Sequence, residues 1–336
     1  MTTAGLGALP VTASGAPGGE SAASATSGRT GGPSAVGTTV AGGARVVSEE
    51  WTDERTVELK VESPAVGKTL PVRLLLPTGW KDRPDRTWPV LYLLQGAHDD
   101  YTSWTRETDI ESFTADKDVI TVMPESGPTG IPTAWWNSGR GGPDYEAFIL
   151  EEVTAILEAS YRAGDARAVA GVSTGGYGAM AFASRHPGMF GAAAAYSGIL
   201  HTRLPSVPTL LFAIVARELL SPLSMWGSPL FQSDNWKARD PYAQAEKLRG
   251  TELYISAGTG IVGGGDDDPL DGKILESSVW PTTKSFTNRL EDLDIPATVD
   301  LYTGGAHAWP YWQREFHDSW PELAKGLGLP ASPSRG

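Results

Sequence analysis

Cysteine is absent from the 336-residue sequence. The chain therefore cannot form a disulfide, use a thiolate nucleophile, or hold zinc or an iron–sulfur cluster through cysteine ligands. The sequence also lacks a run of about 18 apolar residues, so we expect no membrane-spanning helix. Positive charge is scarce: 27 Lys and Arg stand against 40 Asp and Glu, for a net charge of −13. Because phosphate binding needs clustered Lys and Arg, we expect no nucleic-acid partner.

Composition divides the chain into a tether and a folded domain. Gly, Ala, Ser, Thr and Pro dominate residues 1–45, which hold too few apolar residues to offset the entropy of ordering. We interpret this segment as a flexible tether, either the stalk left after removal of an export signal or the product of a misassigned start codon. Residues 46–330 form the predicted domain, and residues 331–336 a flexible tail.

Within the domain, the hydrophobic pattern alternates between strands and helices. Two segments with period-two alternation predict an antiparallel hairpin, and several short apolar runs that end in turn residues predict buried parallel strands. We therefore expect an α/β fold with a mainly parallel sheet. The predicted strands are residues 56–62, 70–76, 89–94, 119–123, 168–172, 192–196, 252–256 and 298–302, and the predicted helices are residues 145–161, 175–185, 284–290 and 311–326.

A candidate nucleophile follows one of these strands. Residues 171–175 read Gly-Val-Ser-Thr-Gly, between an apolar strand and a helix-like run, which is the context that a G-x-S-x-G nucleophile turn requires. The small residues around Ser173 allow a tight turn that exposes its hydroxyl above a helix N-terminus, where developing negative charge is favoured. We predict that Ser173 is a catalytic nucleophile.

A serine hydroxyl needs a base, and the sequence has only five histidines. His186 ends the predicted helix after Ser173, His317 lies within the last helix, and His201 lies in a loop. His307 instead directly follows the last predicted strand, in a Gly-rich loop that would bring it to the carboxyl edge of the sheet. It also follows the nucleophile in the order Ser, acid, His. We predict that His307 is the base.

The acid that orients this histidine should lie between the strand at residues 252–256 and His307. Spacing does not choose among the carboxylates there, which are Asp266, Asp267, Asp268, Asp271, Glu276, Glu291, Asp292 and Asp294. The acidic run at residues 266–268 has an alternative interpretation as a solvated loop, and it lacks the spacing of an EF-hand calcium loop. We expect no metal site.

An oxyanion hole should complete the site. One donor is predicted to be the backbone N–H of Thr174, the residue after the nucleophile, and the other an amide in the loop after the strand at residues 89–94. Gly96 lets that backbone turn inward, so Ala97 is the predicted second donor. His98 would then flank the substrate mouth, or else be an ordinary surface residue.

Several motifs, in constant order over about residues 50–325, resemble those of the secreted mycolyltransferases (the antigen 85 complex) and their esterase D relatives. No single motif decides the resemblance, but the ordered series of motifs is specific. Feruloyl and acetylxylan esterases of the same superfamily share only the broader pattern. The matching motifs are Leu93-Leu94-Gln95-Gly96, Asp99-Asp100-Tyr101 with Trp104, Met123-Pro124, Gly171–Gly178 (GVSTGGYG), Tyr196-Ser197-Gly198, Met225-Trp226-Gly227, Trp236 with Asp240-Pro241, and Gly305–Trp312 (GAHAWPYW).

This resemblance implies a compact α/β-hydrolase fold without a large lid domain. It also selects the acid, because the segment around Glu276, with Val279 and Phe286 downstream, is similar to the one that carries the family's catalytic glutamate. Asp267 and Asp268 remain the alternatives. The resemblance assigns the same nucleophile, base and oxyanion donors as the residue patterns do.

The sequence departs from the family where the acceptor sugar would bind. The family's aspartate is Gln95 here, and the arginine just beyond is His98, so charge is lost on the acceptor side. Trp309 matches a tryptophan that lines the family's sugar site, although packing beside the catalytic residues explains it equally well. We treat Gln95, His98 and Trp309 as candidate substrate-binding residues.

The predicted function is hydrolysis of carboxylic esters through an acyl-enzyme on Ser173, without a cofactor. The substrate would be a small-molecule, lipid or carbohydrate ester. One alternative is acyl transfer to an alcohol or sugar by the same residues, and a second is a non-catalytic relative that binds carbohydrate or matrix. By resemblance we expect secretion or a cell-envelope location, with the cytoplasm as the alternative.

Overall fold

The computed structural model describes residues 34–262 and 268–330. Most of the predicted tether (residues 1–33), the predicted tail (331–336), and the candidate acids Asp266 and Asp267 lie outside the described residues. The described chain begins before the predicted domain boundary at residue 46. Ala35 and Ala44 are buried, and the Gly37 amide donates to the Val46 carbonyl (2.9 Å). The composition did not predict that this segment belongs to the folded domain, because its buried residues are small alanines that form no hydrophobic pattern.

Nine strands form one sheet, in the order β1-β2-β3-β5-β4-β6-β7-β8-β9. β1, β2, β3 and β5 pair antiparallel, and every pair from β5 through β4 to β9 is parallel. The mainly parallel sheet, with the N-terminal hairpin of β2 and β3, is as predicted. The strands are β1 (Arg45–Trp51), β2 (Thr56–Ser63), β3 (Lys68–Leu75), β4 (Trp88–Leu94), β5 (Ile120–Pro124), β6 (Ala163–Val172), β7 (Ala192–Tyr196), β8 (Glu252–Gly258) and β9 (Thr298–Tyr302).

All eight predicted strands are present, but β1 was not predicted. β1 is an edge strand with one buried residue, Val46, so its sequence carries little of the alternation expected of a half-buried strand. The central strands β4, β5 and β7 are buried almost throughout, since helices cover both faces of a parallel sheet.

Helices flank the sheet and fill the connections between its strands. They are α1 (Ser103–Glu107), α2 (Ile110–Phe113), α3 (Tyr145–Ala147), α4 (Thr154–Tyr161), α5 (Thr174–Arg185), α6 (Val207–Arg217), α7 (Pro222–Trp226), α8 (Ser233–Ala238), α9 (Pro241–Gln244), α10 (Leu270–Asp292), α11 (Trp309–Asp318) and α12 (Trp320–Gly326). A π-helical segment, Phe148–Val153, joins α3 to α4, so the predicted helix over residues 145–161 is continuous. Within the described ranges, no helix has both the length and the hydropathy to cross a bilayer.

Two helices differ from their predicted bounds. The prediction of residues 284–290 recovered only the C-terminal part of the 23-residue α10, because Pro281 within the helix reads as a helix breaker. The predicted helix over residues 311–326 is divided at Ser319 into α11 and α12. Pro321 is the second residue of α12, and a proline ring clashes with the carbonyl four residues before it in a continuous helix.

The carboxyl ends of the parallel strands meet at one edge of the sheet. β4 leads into Gln95, β6 into Ser173, β7 into Ser197 and β9 into the loop that carries His307. In open α/β sheets ligands bind outside these strand ends, which directs attention to this edge.

Candidate active site

Ser173 lies on the tight turn between β6 and α5. Its backbone has φ 55° and ψ −118°, a strained conformation for a residue with a side chain. The turn brings Gly171 against Gly175, where a Cβ on Gly171 would lie 2.3 Å from the Gly175 carbonyl carbon. Glycine at position 171 is thus a steric requirement of the turn that presents Ser173.

His307 lies in the loop between β9 and α11, and its side chain is 5% exposed. Its backbone N–H donates to the Gly272 carbonyl on α10 (3.1 Å), which joins the loop to that helix. Its Nδ1 lies 2.7 Å from Glu276 Oε2, and the Trp312 ring packs edge-on against the imidazole, with centroids 4.9 Å apart.

Glu276 lies on α10 and is completely buried. Its Oε1 accepts hydrogen bonds from the Ser197 hydroxyl (2.8 Å) and the Gly258 backbone N–H (2.7 Å). A buried carboxylate remains ionised when such donors compensate its lost hydration. The arrangement therefore presents an acceptor to His307 Nδ1–H, which would leave Nε2 unprotonated and able to act as a base.

Asp268, an alternative acid, engages a different partner. Its Oδ2 accepts a hydrogen bond from the Tyr311 hydroxyl (2.5 Å), whereas His307 Nδ1 contacts Glu276. Asp267, the other alternative, lies outside the described residues.

One cavity of about 650 Å³ is lined by both Ser173 and His307. His307 Nε2 is buried in the site without a hydrogen-bond partner among the described residues, and a serine–histidine contact often tightens only when substrate binds. The lining combines apolar side chains, several of them on α6 and α10, with polar side chains at residues 98, 99, 107 and 217. The lining includes Gly96, Ala97, His98, Asp99, Glu107, Ile199, Leu210, Ala213, Ile214, Arg217, Leu275, Val279, Ala308, Trp309, Pro310 and Trp312.

The predicted oxyanion donors flank the nucleophile. Thr174 is the first residue of α5, where a backbone N–H has no acceptor within the helix. Ala97 lines the cavity, and the neighbouring Gly96 is so close that a Cβ built on it would lie 3.6 Å from Ser173 Cβ. The segments that carry both predicted donors therefore lie next to Ser173.

Gln95 does not have the substrate-binding position expected of it. Its side chain is buried, and its amide donates to the Asp99 carbonyl (2.6 Å) and to Glu125 Oε1 (3.3 Å). The Ser126 backbone N–H donates in turn to the side-chain oxygen Gln95 Oε1 (3.4 Å). These hydrogen bonds join the loop after β4 to the loop after β5. Gln95 therefore holds in place the loop that carries Ala97, and its side chain does not line the cavity.

His98 and Trp309 both line the cavity. His98 has a left-handed backbone (φ 61°), and its Nδ1 contacts the Glu218 carboxylate at the end of α6. Trp309 also packs edge-on against Trp104 and Trp312, with ring centroids 5.3 Å and 5.2 Å away. Trp309 thus lines the cavity and also packs beside the candidate catalytic residues, and its role in substrate binding stays a prediction.

The remaining histidines have structural contacts. His186 pairs with Glu146 (2.7 Å), and His317 pairs with Asp109 (2.8 Å). His201 bonds to Ser285 (2.8 Å), and burial together with nearby Arg203 lowers its pKa. None of the three lines the cavity described above.

Sequence reasoning missed three groups that hold the site together: Ser197, Gly258 and Trp312. Ser197 and Trp312 lie within motifs quoted for the family resemblance, so their positions were visible but their roles were not. Tyr302 lies near Glu276, and burial followed by that carboxylate's charge raises its pKa well above the ordinary value. In the described ranges, no cluster of three His, Asp or Glu side chains has the geometry of a metal site.

The model of the esterase family, described as "Putative esterase", matches residues 63–323. The chain belongs to this family. Over 271 residues it is 29% identical to Esterase Rv1288 of Mycobacterium tuberculosis, covering 78% of this chain and 58% of that one. The chain thus spans 58% of the length of this curated relative.

Two further comparisons agree with the family. The esterase is 27% identical over 290 residues to the diacylglycerol acyltransferase/mycolyltransferase Ag85A of M. tuberculosis, covering 83% of this chain and 82% of Ag85A. The crystal structure of MPT51 (FbpC1) from the same organism aligns with a TM-score of 0.65 at 24% identity, covering 79% of this chain and 96% of MPT51. Together these comparisons show the α/β-hydrolase fold and membership of the esterase family.

Proposed function

We propose that this esterase hydrolyses carboxylic esters through a Ser173–His307–Glu276 triad. The observation that carries the proposal is the 2.7 Å contact between His307 Nδ1 and Glu276 Oε2, beside a cavity shared by His307 and Ser173. A buried carboxylate behind a histidine, with a serine on a strained strand-to-helix turn, is the geometry of a serine hydrolase.

The reaction has two stages. Ser173 Oγ attacks the ester carbonyl while His307 Nε2 takes its proton, and the oxyanion accepts hydrogen bonds from the Thr174 and Ala97 amides. The imidazolium, paired with Glu276, then protonates the departing alcohol. In the second stage, His307 takes a proton from water as the water attacks the acyl-enzyme. The imidazolium then returns that proton to Ser173 Oγ as the bond to the acyl group breaks, which releases the acid and regenerates the free enzyme. No step requires a cofactor.

The residues that line the cavity indicate where the acyl chain and the alcohol of the ester would bind. The apolar side chains Leu210, Ile214, Leu275 and Val279 would contact an aliphatic acyl chain, and burial of each methylene contributes about 0.8 kcal/mol. His98, Asp99, Glu107 and Arg217 would face the more polar alcohol. We therefore propose aliphatic esters of polar alcohols as substrates.

A fluorophosphonate probe and a series of p-nitrophenyl esters test this function. We expect one covalent label on Ser173, and kcat/KM that rises with acyl length until the cavity is filled. A folded protein that takes no label and hydrolyses none of the esters would overturn the proposal and favour the non-catalytic carbohydrate- or matrix-binding alternative.

Acyl transfer is the second candidate function. It is supported by the likeness to Ag85A and by the polar side of the mouth, where an acceptor alcohol could compete with water for the acyl-enzyme. Replacement of the family's charged acceptor residues by Gln95 and His98 counts against trehalose as that acceptor. Product analysis with glycerol or a sugar present distinguishes the two: an acylated alcohol as the main product would favour transfer.

The family resemblance is also the basis for proposing a secreted or cell-envelope location. Fractionation of the source cells tests it, and recovery of the full chain only from the cytoplasm would overturn it.

A further inference from the structure

The Ser197 hydroxyl lies behind Glu276, on the side of the carboxylate away from His307. Ser197 directly follows β7 and is 1% exposed. Its Oγ donates to Glu276 Oε1 (2.8 Å) and accepts from the Trp312 indole N–H (3.0 Å). An indole N–H can only donate, so the bond from Trp312 occupies a lone pair of the hydroxyl and directs its proton towards Glu276.

These bonds fix the plane of the carboxylate. Oε1 receives Ser197 Oγ and the Gly258 N–H, which come from the ends of two neighbouring strands, β7 and β8. With Oε1 held at two points, Oε2 is left directed at His307 Nδ1. The rotation of the Glu276 carboxylate about χ3, a torsion with only a broad intrinsic preference, is thereby set by these hydrogen bonds.

Trp312 makes a second contact in the same group, since its ring packs edge-on against the His307 imidazole, with an interplanar angle of 89°. One side chain of α11 thus restrains the histidine directly, and the glutamate through the Ser197 hydroxyl. Chains of hydrogen bonds that point the same way strengthen one another in a buried setting.

We propose that Ser197 is a positioning residue for the Glu276–His307 pair, with its hydroxyl oriented by the Trp312 indole. This inference rests on the proposed hydrolase function. It adds to the triad a directed relay from Trp312 Nε1–H to Ser197 Oγ–H to Glu276 Oε1.

Loss of the Ser197 hydroxyl should change how activity depends on pH. Without this donor the Glu276 charge is less stabilised, so the pair retains a proton up to a higher pH, and the acidic limb of the profile moves upward. Tyr302 on β9 is a titratable group that interacts with Glu276. Burial holds its pKa far above neutrality, so Tyr302 does not titrate in this range.

The decisive variant is Ser197→Ala, measured as a pH profile of kcat for ester hydrolysis. We expect a loss in kcat of about tenfold, an unchanged KM, and an acidic limb displaced upward by about one pH unit. Trp312→Phe keeps a ring but removes the indole N–H, and should shift the limb in the same direction by less. It also tests the relay if Ser197→Ala does not fold.

The matched control is Ser256→Ala. Ser256 lies on the adjacent strand β8 and is buried, and its hydroxyl has no hydrogen-bond partner among the described residues. This variant should keep the wild-type profile. If Ser197→Ala folds and its acidic limb stays at the wild-type pH, the positioning role is wrong, even if kcat falls. Failure of the hydrolase function itself would show separately, as absence of fluorophosphonate labelling of wild-type Ser173.

Discussion

Gly130 lies so close to Gly96 that a Cβ on Gly130 would be 2.2 Å from the Gly96 carbonyl oxygen. The same Cβ would lie 2.7 Å from Thr174 Oγ1. The loop after β5 therefore packs closely against the Gly96 backbone and the Thr174 side chain, beside both proposed oxyanion donors. We expect the position of the oxyanion hole to depend on Gly130, a residue outside the catalytic motifs.

Gly130→Ala should damage both stability and activity. Its φ of 58° strains any residue with a side chain, and the methyl group would also displace the Gly96 carbonyl. Gly141→Ala is the matched control, because Gly141 has φ 75° but no atom within 4 Å of an added Cβ. We expect Gly130→Ala to lower the free energy of unfolding by about 1–3 kcal/mol more than the control. Equal stability and kcat in urea-unfolding and ester assays would contradict this.

Ser173→Ala should reduce kcat by at least about a thousandfold while the fold remains, because only oxyanion and binding contributions would survive. Steady-state hydrolysis of a p-nitrophenyl ester, with circular dichroism as a check of folding, measures the effect. Ser184→Ala provides a control on the same helix: Ser184 is also buried, but its hydroxyl bonds to the Ala181 carbonyl, away from the cavity. A Ser173→Ala enzyme with wild-type turnover would show that another residue is the nucleophile.

Glu276→Gln should lower kcat by about 10²–10⁴-fold. The Ser197 and Gly258 donors favour the amide oxygen at the Oε1 position, which turns the NH₂ group towards His307 Nδ1. That contact favours the tautomer with the proton on Nε2, which cannot act as a base. Asp268→Asn is the comparison, since Asp268 bonds to Tyr311, and it should leave kcat within about twofold of wild type. The opposite ranking of these two variants would reassign the acid.

The chain-length preference of the enzyme should respond to the wall formed by α6. Ile214→Trp fills the apolar side of the cavity and should lower kcat/KM for long acyl chains about tenfold more than for acetate. Ala216→Trp, at an exposed position of the same helix, should not change the ratio. Equal losses for every chain length would place the acyl group elsewhere.

Asp240 should make the stability of the fold depend on pH. The carboxyl is fully buried, and desolvation raises its pKa to about 6, although the Thr202 N–H donates to it. Since the folded state then binds more protons than the unfolded state between about pH 4 and 6, stability should fall as pH rises through that range. The change is about 3 kcal/mol above pH 6. Asp240→Asn should flatten this part of the curve in urea unfolding, and an unchanged slope would rule out Asp240 as its source.

The sequence by itself determined the parallel sheet, the turn at Ser173 and the arrival of His307 after the last strand. These features are local: strand periodicity, small residues around a tight turn and a Gly-rich loop act over a few neighbouring positions. Because the carboxyl ends of parallel strands lie at one edge of a sheet, His307 could be assigned to that edge from the sequence, whereas the order of the strands was not predicted.

Tertiary structure decided which carboxylate faces His307 and what holds it there. Between β8 and His307 several acids are equivalent in spacing. In the structure, the first part of α10 carries Glu276 to the imidazole, while Asp268, before that helix, bonds to Tyr311. Ser197, Gly258 and Trp312 converge on this pair from three separate elements. Contacts between residues that are distant along the chain produce no repeating pattern in the sequence. They form only when the packed strands and helices fix the position and the orientation of each side chain.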